Sequence, residues 1–254
     1  MTVAELGAHR LGAWIFNCWI VPDGGAGRPL VVDLGVPSTA ARLTELLAAE
    51  SLSGEPVVAA THLHVDHVAG VPSFEASAAC SVCLPPKAAA YAAGEKFALP
   101  GPSEVVKIVP VMRSQKFSFA PLRELATAKV GCVQSGYVAP TANPTYLVDG
   151  EAVPGAPDWQ VMVTPGHSDD SVSLWNERTR TLLSGDAVLS VGPRAWFNPE
   201  TVDKPAQAET EDRLRSLRVD VLLPGHGRPV VRRDVLSTAL GFRDKAPKGL
   251  HRQR

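Results

Sequence analysis

The sequence predicts an α/β fold, and this prediction depends on two observations. Short apolar and β-branched runs, each bounded by turn residues, alternate with helical patterns along much of the chain. The chain has 254 residues, of which 45% are hydrophobic and 20% charged, so it can bury a substantial core. We therefore expect residues 1–254 to form a single domain.

The first elements are a predicted hairpin and a helix. Residues 14–21 are aromatic and β-branched without a charge, and residues 29–33 form a second strand after a turn rich in glycine. Ser38 is the expected N-cap of a helix over residues 38–50. Asp33 ends the second strand just before a glycine, and it is either a turn residue or a polar group of a site.

Residues 85–145 are the least regular part of the chain. Eight prolines interrupt this segment, although residues 119–129 fit a helix. Its aromatic side chains belong either to ordinary packing, which we favour, or to a lid over a binding site.

Strand signals return in the second half of the chain, at residues 146–149, 159–164, 171–175 and 181–184. Residues 209–218 predict a charged scaffold helix, residues 230–242 a terminal helix, and residues 249–254 a loose basic tail.

The most informative stretch is Thr-His-Leu-His-Val-Asp-His, which follows an apolar run that predicts a buried strand. While the backbone stays extended, His62 and His64 point the same way, and Asp66 and His67 follow as the chain turns toward a helix near residues 68–73. These four groups can serve two metal centres, because one tetrahedral site could not easily use all of them from so short a span. Three of seven histidines within six residues favour metal ligands over solvent-facing or core histidines.

Three further potential ligands follow predicted strands. His167 comes after a Pro-Gly turn, Asp186 after a glycine, and His226 after another Pro-Gly pair. A single residue of this kind is common in loops. Their repetition at strand ends, together with the histidine-rich stretch, indicates one shared site.

Composition excludes several classes of function. The net charge is −1, the isoelectric point is about 6.7 and no basic run occurs, so nucleic acid is not an expected partner. No run of 18 apolar residues and no apolar signal-peptide core occurs, so we expect a cytoplasmic protein without membrane association. Four cysteines fit reduced thiols better than a disulfide framework, and Cys80 and Cys83 are expected to be buried and inert despite their C-x-x-C spacing.

The ordered set of histidines and aspartates resembles the metallo-β-lactamase-fold hydrolase superfamily, and the resemblance covers nearly the whole chain. It implies a four-layer αβ/βα sandwich, in which two mixed sheets pack face to face with helices outside and metals at one edge between them. It also implies these ligand sets: His62, His64 and His167 for the first metal, Asp66, His67 and His226 for the second, and Asp186 as the bridge. Asp33 would then steady the ligand loop without binding metal.

Two features depart from the usual pattern of this family. One hundred residues separate His67 from His167, so residues 85–145 are expected to carry an elaboration specific to this branch. That elaboration would either close over substrate or pair two copies of the chain in a homodimer. In addition, Asp169 and Asp170 follow His167 where relatives often have a Pro-Gly type turn.

Imidazole and carboxylate ligands without thiolate favour two Zn²⁺ ions, with Fe²⁺ or Mn²⁺ as alternatives. Two ions bridged by Asp186 would lie roughly 3.5 to 4 Å apart and lower the pKa of a shared water from about 15.7 toward about 7. The resulting hydroxide would attack a carbonyl or phosphoryl centre, and the resemblance suggests that Asp66 orients it. The sequence has no serine-nucleophile elbow, P-loop or dinucleotide-binding glycine motif that would supply another catalytic apparatus.

The resemblance also ranks the substrate classes. True β-lactamases of the family usually have Cys or Ser in place of Asp186, whereas thioester hydrolases of the glyoxalase II kind and lactonases keep the aspartate. We therefore expect a small-molecule thioester, another carboxylic ester or a lactone, ahead of β-lactams and phosphodiesters. The rivals are a mononuclear-iron persulfide dioxygenase and a non-catalytic binding protein, although such binding proteins typically lose ligands and this chain has all seven. Five apolar residues would either line an acyl pocket or belong to the core: Val188, Leu189, Val191, Trp196 and Phe197.

Overall fold

Two mixed β-sheets of six strands each form the centre of this fold, in a computed structural model that describes residue 3 and residues 6–246. The first sheet has the order β1-β2-β3-β4-β5-β8, with these bounds: His9–Ala13, Phe16–Val21, Leu30–Val32, Val57–Ala59, Ser81–Leu84 and Thr145–Tyr146. Its first three strands pair antiparallel, as the predicted hairpin requires, and the rest pair parallel. The basic tail predicted at residues 249–254 lies outside the described residues.

The second sheet has the order β16-β15-β12-β11-β10-β9. In chain order, from β9 to β12 and then β15 and β16, these strands are Ala152–Val153, Ala156–Val163, Val172–Asn176, Thr181–Gly185, Val221–Pro224 and Val230–Val231. Strands β12 and β15 are parallel neighbours, so both end at the same edge of the sheet. A hairpin of β13 (Val188–Val191) and β14 (Arg194–Phe197) lies between β12 and β15 in sequence.

The two sheets pack face to face through the alternation of their side chains. Leu30 and Val32 of β3 pack with Trp159 and Leu183 of the second sheet, whereas Val31 belongs to a separate cluster on the outer face. The period of two therefore gives each sheet one face toward its partner and one face toward helices.

Helices cover the outer faces. The first sheet is covered by α1 (Pro37–Ala49), α3 (Val71–Glu75) and α4 (Ala88–Ala92), whose apolar side chains share a cluster with Val31. The second sheet is covered by α8 (Lys204–Arg215), through Leu214. These layers are the four-layer sandwich that the sequence predicted.

The irregular segment holds short elements. Besides α4 and β8, it contains α5 (Pro102–Val105), a 3₁₀ turn (Val106–Ile108), α6 (Val109–Arg113), α7 (Ala120–Thr127), β6 (Gly131–Val133) and β7 (Gly136–Val138). The helix predicted over residues 119–129 is therefore present as α7. No helix in the described part of the chain is long and apolar enough to cross a membrane.

Three local predictions were wrong. Ser38 does not cap α1, because the Glu124 carboxylate accepts its N–H at 2.7 Å and its hydroxyl at 2.8 Å from across 86 residues. The helix expected near residues 68–73 is two helices, and the first, α2 (Val65–Val68), begins inside the histidine-rich stretch. The terminal helix over residues 230–242 is instead β16 and a 3₁₀ turn, since Asp234 takes a left-handed conformation with φ 52° that interrupts any helix.

The four cysteines are free, as predicted. Cys83 is buried and Cys80 half-buried, and burial raises the pKa of each thiol to about 11. Both thiols are therefore protonated near neutral pH and poor nucleophiles.

Candidate metal centre

All seven predicted ligands meet at one edge between the two sheets. Five of them follow strands: β4 leads to His62 and His64, β10 to His167, β12 to Asp186 and β15 to His226. The other two, Asp66 and His67, lie in α2. The two sheets are joined here by a backbone hydrogen bond of 2.7 Å, from Val172 N–H to the Thr61 carbonyl. This bond holds the edges of the two sheets together, so side chains from distant parts of the sequence come close to one another.

Three imidazoles converge in the first half of the centre. The distance to His64 Nδ1 is 3.1 Å from His62 Nε2 and 3.2 Å from His167 Nε2. Burial lowers the pKa of His62 well below its ordinary value, and burial together with nearby His167 lowers the pKa of His64 to about 3. Both rings are therefore neutral near pH 7, the form in which imidazole binds a metal.

The second half of the centre contains Asp66, His67 and His226, whose candidate ligand atoms lie within 4.8 Å of one another. Asp66 Oδ2 lies 3.3 Å from His226 Nε2 and 3.7 Å from His67 Nε2. Burial alone would raise the pKa of Asp66, but His67 and His226 hold it below its ordinary range. The carboxylate is therefore ionised and available as a ligand.

Asp186 lies between the two halves. Its Oδ2 is 3.6 Å from His167 Nε2 and 3.1 Å from His226 Nε2, and its Oδ1 is 3.7 Å from His67 Nε2. Burial would raise the pKa of Asp186, yet His226 and His67 hold it below its ordinary range. A carboxylate that reaches both halves occupies the position that a bridging ligand needs.

The chemistry of these donors fits a pair of divalent cations. His67 Nε2 and Asp186 Oδ1 are buried without a hydrogen-bond partner among the described residues, a state that is costly unless another group binds them. Burial lowers the pKa of His67, but three nearby aspartates outweigh it and raise the pKa to about 9. His67 is therefore protonated near pH 7 when no metal is bound, and a bound cation would replace the positive charge of this proton.

Further contacts aim the imidazoles. Asp33 Oδ2 lies 3.0 Å from His67 Nδ1, and its other oxygen accepts the Thr61 N–H at 2.8 Å. The Glu200 carbonyl lies 2.9 Å from His167 Nδ1, and the Ile15 carbonyl lies 3.2 Å from His226 Nδ1. A ring that donates from Nδ1 keeps Nε2 free for a metal. Of these partners, only Asp33 was predicted, since backbone carbonyls have no sequence signal.

Glycine is required where the backbone passes close to the centre. A Cβ added at Gly225 would lie 2.3 Å from Asp186 Oδ1 and 2.9 Å from His67 Cε1. A side chain at this position would therefore displace two predicted ligands.

The pair of aspartates after His167 supports the ligand loop. The buried Asp170 carboxylate accepts the N–H of Leu63, the residue between His62 and His64, at 2.7 Å. Its neighbour Asp169 accepts a hydrogen bond of 2.9 Å from Lys87 Nζ, just before α4. Burial raises the pKa of Asp170 to about 6. The sequence marked this pair as unusual but gave it no role.

A cavity of about 540 Å³ opens beside the centre, and we call it the acyl pocket. Its wall comes mainly from the irregular segment, through Leu99, Pro100, Leu125, Ala126, Ala128, Cys132, Val133 and Gln134, with His64, Val65, Asp66 and Glu200 completing it. Side chains of this segment also pack, since Tyr91 is buried against Phe97 and Tyr137. The segment therefore both packs into the fold and forms most of the wall of this cavity.

Of the two alternatives for the apolar residues after Asp186, the structure shows packing in the core. The five residues are at most 2% exposed, belong to the core clusters and do not line the acyl pocket: Val188, Leu189, Val191, Trp196 and Phe197. The reason is the β13–β14 hairpin, which turns these side chains into the core.

The fold and this cluster agree with the comparison to known proteins. The metallo-beta-lactamase superfamily profile matches residues 11–226, so the chain belongs to that superfamily. The chain is 31% identical to chicken acyl-coenzyme A thioesterase MBLAC2 over 251 residues, covering 89% of this chain and 82% of the relative. It is 23% identical to the probable metallo-hydrolase YflN of Bacillus subtilis, covering 89% of this chain and 86% of the relative.

Solved structures show the same fold. A metallo-beta-lactamase family protein from Thermus thermophilus, TTHA1429, superposes with a TM-score of 0.59 at 25% identity, covering 91% of this chain and 76% of that one. TTHA1623, solved in a di-iron-bound form, superposes with a TM-score of 0.57 at 24% identity, covering 88% and 93%. The protein is thus a hydrolase of this superfamily with a cluster suited to divalent metal. Zinc and the role of each ligand stay predictions.

Proposed function

We propose that the protein hydrolyses acyl thioesters, with coenzyme A as the carrier of the acyl group. The observation that supports this most directly is the acyl pocket, which places apolar side chains next to His64 and Asp66 of the metal centre. The name of the 31% identical relative agrees with it. A small molecule is the proposed partner, whereas the cytoplasmic location, the lack of nucleic-acid partners and the homodimer stay predictions.

Two cations held by the seven ligands would supply a Lewis acid for the carbonyl and a water of lowered pKa. The two catalytic aspartates have different surroundings. Asp66 lines the acyl pocket and its side chain is 19% exposed, so we assign it the orientation of the attacking water. Asp186 is 3% exposed, so we assign it to holding the two halves of the centre together.

The acyl pocket would bind the hydrocarbon part of the substrate. Leu99 and Leu125 offer apolar surface there, and a volume of about 540 Å³ lies in the range of small-molecule sites, roughly 300 to 1,000 Å³. Water excluded from this wall would favour longer acyl chains over acetyl groups, because each buried methylene contributes about 0.8 kcal/mol.

The test is a hydrolysis screen of protein loaded with Zn²⁺, Fe²⁺ or Mn²⁺ against acyl-coenzyme A thioesters, lactones, β-lactams and phosphodiesters. We expect thioesters of medium or long acyl chains to give the highest kcat/KM. Activity confined to phosphodiesters or β-lactams would contradict the proposal. Iron content with oxygen consumption on a persulfide would instead identify the dioxygenase rival.

A further inference from the structure

A second cavity, of about 530 Å³, lies on the other side of the loop that follows β14, and we call it the basic cleft. Four cationic side chains and two aromatic residues define it: Lys107, Lys204, Arg243, Lys245, Trp196 and Phe242. The chain as a whole carries a net charge of −1, so this concentration of positive charge is local.

The basic cleft holds more positive than negative side chains. Lys107 pairs with Glu104, and Asp244 is the acidic residue in the lining. Within the part of the chain that the structure describes, no ion pair involves Lys204, Arg243 or Lys245, and all three are exposed. Cations that are held around a concave surface without partners attract anions such as phosphate.

The basic cleft and the metal centre share a thin wall, residues 199–201. Pro199 and Thr201 line the basic cleft, whereas Glu200 between them lines the acyl pocket beside His64. Lys107 Nζ donates to the Pro199 carbonyl at 3.3 Å, and the Glu200 carbonyl accepts from His167 Nδ1 at 2.9 Å. The two cavities are therefore neighbours, on either side of this short segment.

We propose that the basic cleft binds the phosphate-bearing nucleotide of the thioester's carrier, an inference that depends on the proposed function. Its exposed cations suit the phosphate groups, whereas Trp196 and Phe242 beneath them are almost entirely buried, so the proposed recognition depends on the phosphates. A volume of about 530 Å³ is too large for phosphate alone and lies within the range of small-molecule sites. The cleft would thus select coenzyme A over carriers without a nucleotide.

The binding test uses calorimetry with free coenzyme A, adenosine 3′,5′-bisphosphate, pantetheine and inorganic phosphate. Lys204→Ala and Arg243→Ala are expected to weaken coenzyme A about three- to tenfold each, with a loss of affinity at higher salt. Arg178→Ala is the matched control, because this exposed arginine lies before β12, at the end opposite to Asp186, and should leave affinity unchanged. Inorganic phosphate bound as tightly as coenzyme A, or pantetheine bound equally well, would overturn the proposal.

The kinetic test compares butyryl-coenzyme A with S-butyryl-pantetheine, which share the acyl group and the thioester. We expect both cleft variants to raise KM about three- to tenfold for the first substrate and to leave kcat/KM for the second unchanged. If both substrates are hydrolysed and neither variant changes KM for butyryl-coenzyme A, the proposed role of the basic cleft is wrong and the proposed thioesterase function is retained. If neither substrate is hydrolysed but the variants still weaken the binding of coenzyme A, the proposed thioesterase function is wrong and the basic cleft is retained as a binding site.

Discussion

The ligand edge and the irregular segment, residues 85–145, are built in opposite ways. The predicted ligands lie at the strand ends of two sheets and in α2, and five of the seven are buried, with supporting contacts such as Asp33 to His67 at 3.0 Å. The irregular segment holds short helices of four to eight residues and two strands of three residues, and it exposes large apolar side chains such as Val106, which is 66% exposed. The comparison teaches that strands of both sheets fix the predicted ligands, whereas the wall of the neighbouring cavity comes from short, partly exposed elements.

The largest effect should come from Asp186→Ala, which removes the group shared by both halves of the centre. We expect loss of more than about 100-fold in metal affinity and in kcat/KM, beyond the roughly 10- to 100-fold typical of supporting residues. Metal analysis by mass spectrometry and thioester kinetics measure this loss, and the circular dichroism spectrum should stay unchanged. Asp158→Ala, on the exposed start of β10, is the control. Full metal content in Asp186→Ala would remove Asp186 from the ligand set.

The next largest effect should come from Asp33, which contacts the predicted ligand His67. Asp33→Asn keeps the left-handed backbone, φ 62°, because asparagine tolerates this conformation, but it removes the charge beside His67 Nδ1. We expect metal affinity to fall about 10- to 100-fold, measured by competition with a chelator. An affinity equal to that of the wild type would show that the Asp33 carboxylate does not act through His67.

Asp170 supports the ligand loop through Leu63, and its pKa gives a pH signature. Burial raises this pKa to about 6 in the folded chain, compared with about 3.9 in the unfolded chain. The folded chain therefore binds a proton at Asp170 more tightly than the unfolded chain does. This preference stabilises the fold below about pH 4 and is lost as the pH rises through about 6. The wild type should therefore lose about 2 kcal/mol of unfolding free energy relative to Asp170→Asn between pH 4 and pH 7. Denaturant unfolding at both pH values measures this difference. A difference that is independent of pH would contradict the buried, destabilised carboxylate.

The substrate wall should give the smallest effect and leave the centre intact. Leu99→Asp places a charge in the acyl pocket, so kcat/KM for long-chain thioesters should fall about tenfold while short-chain activity and metal content stay unchanged. Val106→Asp is the matched control, because Val106 is exposed and does not line the acyl pocket. If Leu99→Asp and Val106→Asp change kcat/KM for long-chain thioesters equally, the acyl pocket does not bind the acyl chain.

The ligand positions could be predicted because they depend on local signals that the fold preserves. His62, Asp186 and His226 come soon after β-branched strands, and parallel neighbours such as β12 and β15 end at one edge, which brings Asp186 and His226 together. The residues that complete the site had no such signal. Asp170, Glu200 and the wall residue Leu99 contribute through contacts with parts of the chain far away in sequence.

The wrong and the undecided predictions have the same origin. Ser38 has the identity of an N-cap, yet its polar groups bond to Glu124 of α7. For the apolar residues after Asp186, composition left an acyl wall and the core as alternatives, and the pairing of β13 with β14 buries them. In both cases a partner distant in sequence, or the direction of a strand, decided the outcome, and neither can be read from a local pattern.

The most direct test is anomalous diffraction from a crystal soaked in Zn²⁺. Two strong peaks roughly 3.5 to 4 Å apart are expected, one among His62, His64 and His167 and the other among Asp66, His67 and His226, with Asp186 touching both. No peak within reach of these side chains, or zinc bound only elsewhere on the surface, would contradict a two-metal hydrolase centre.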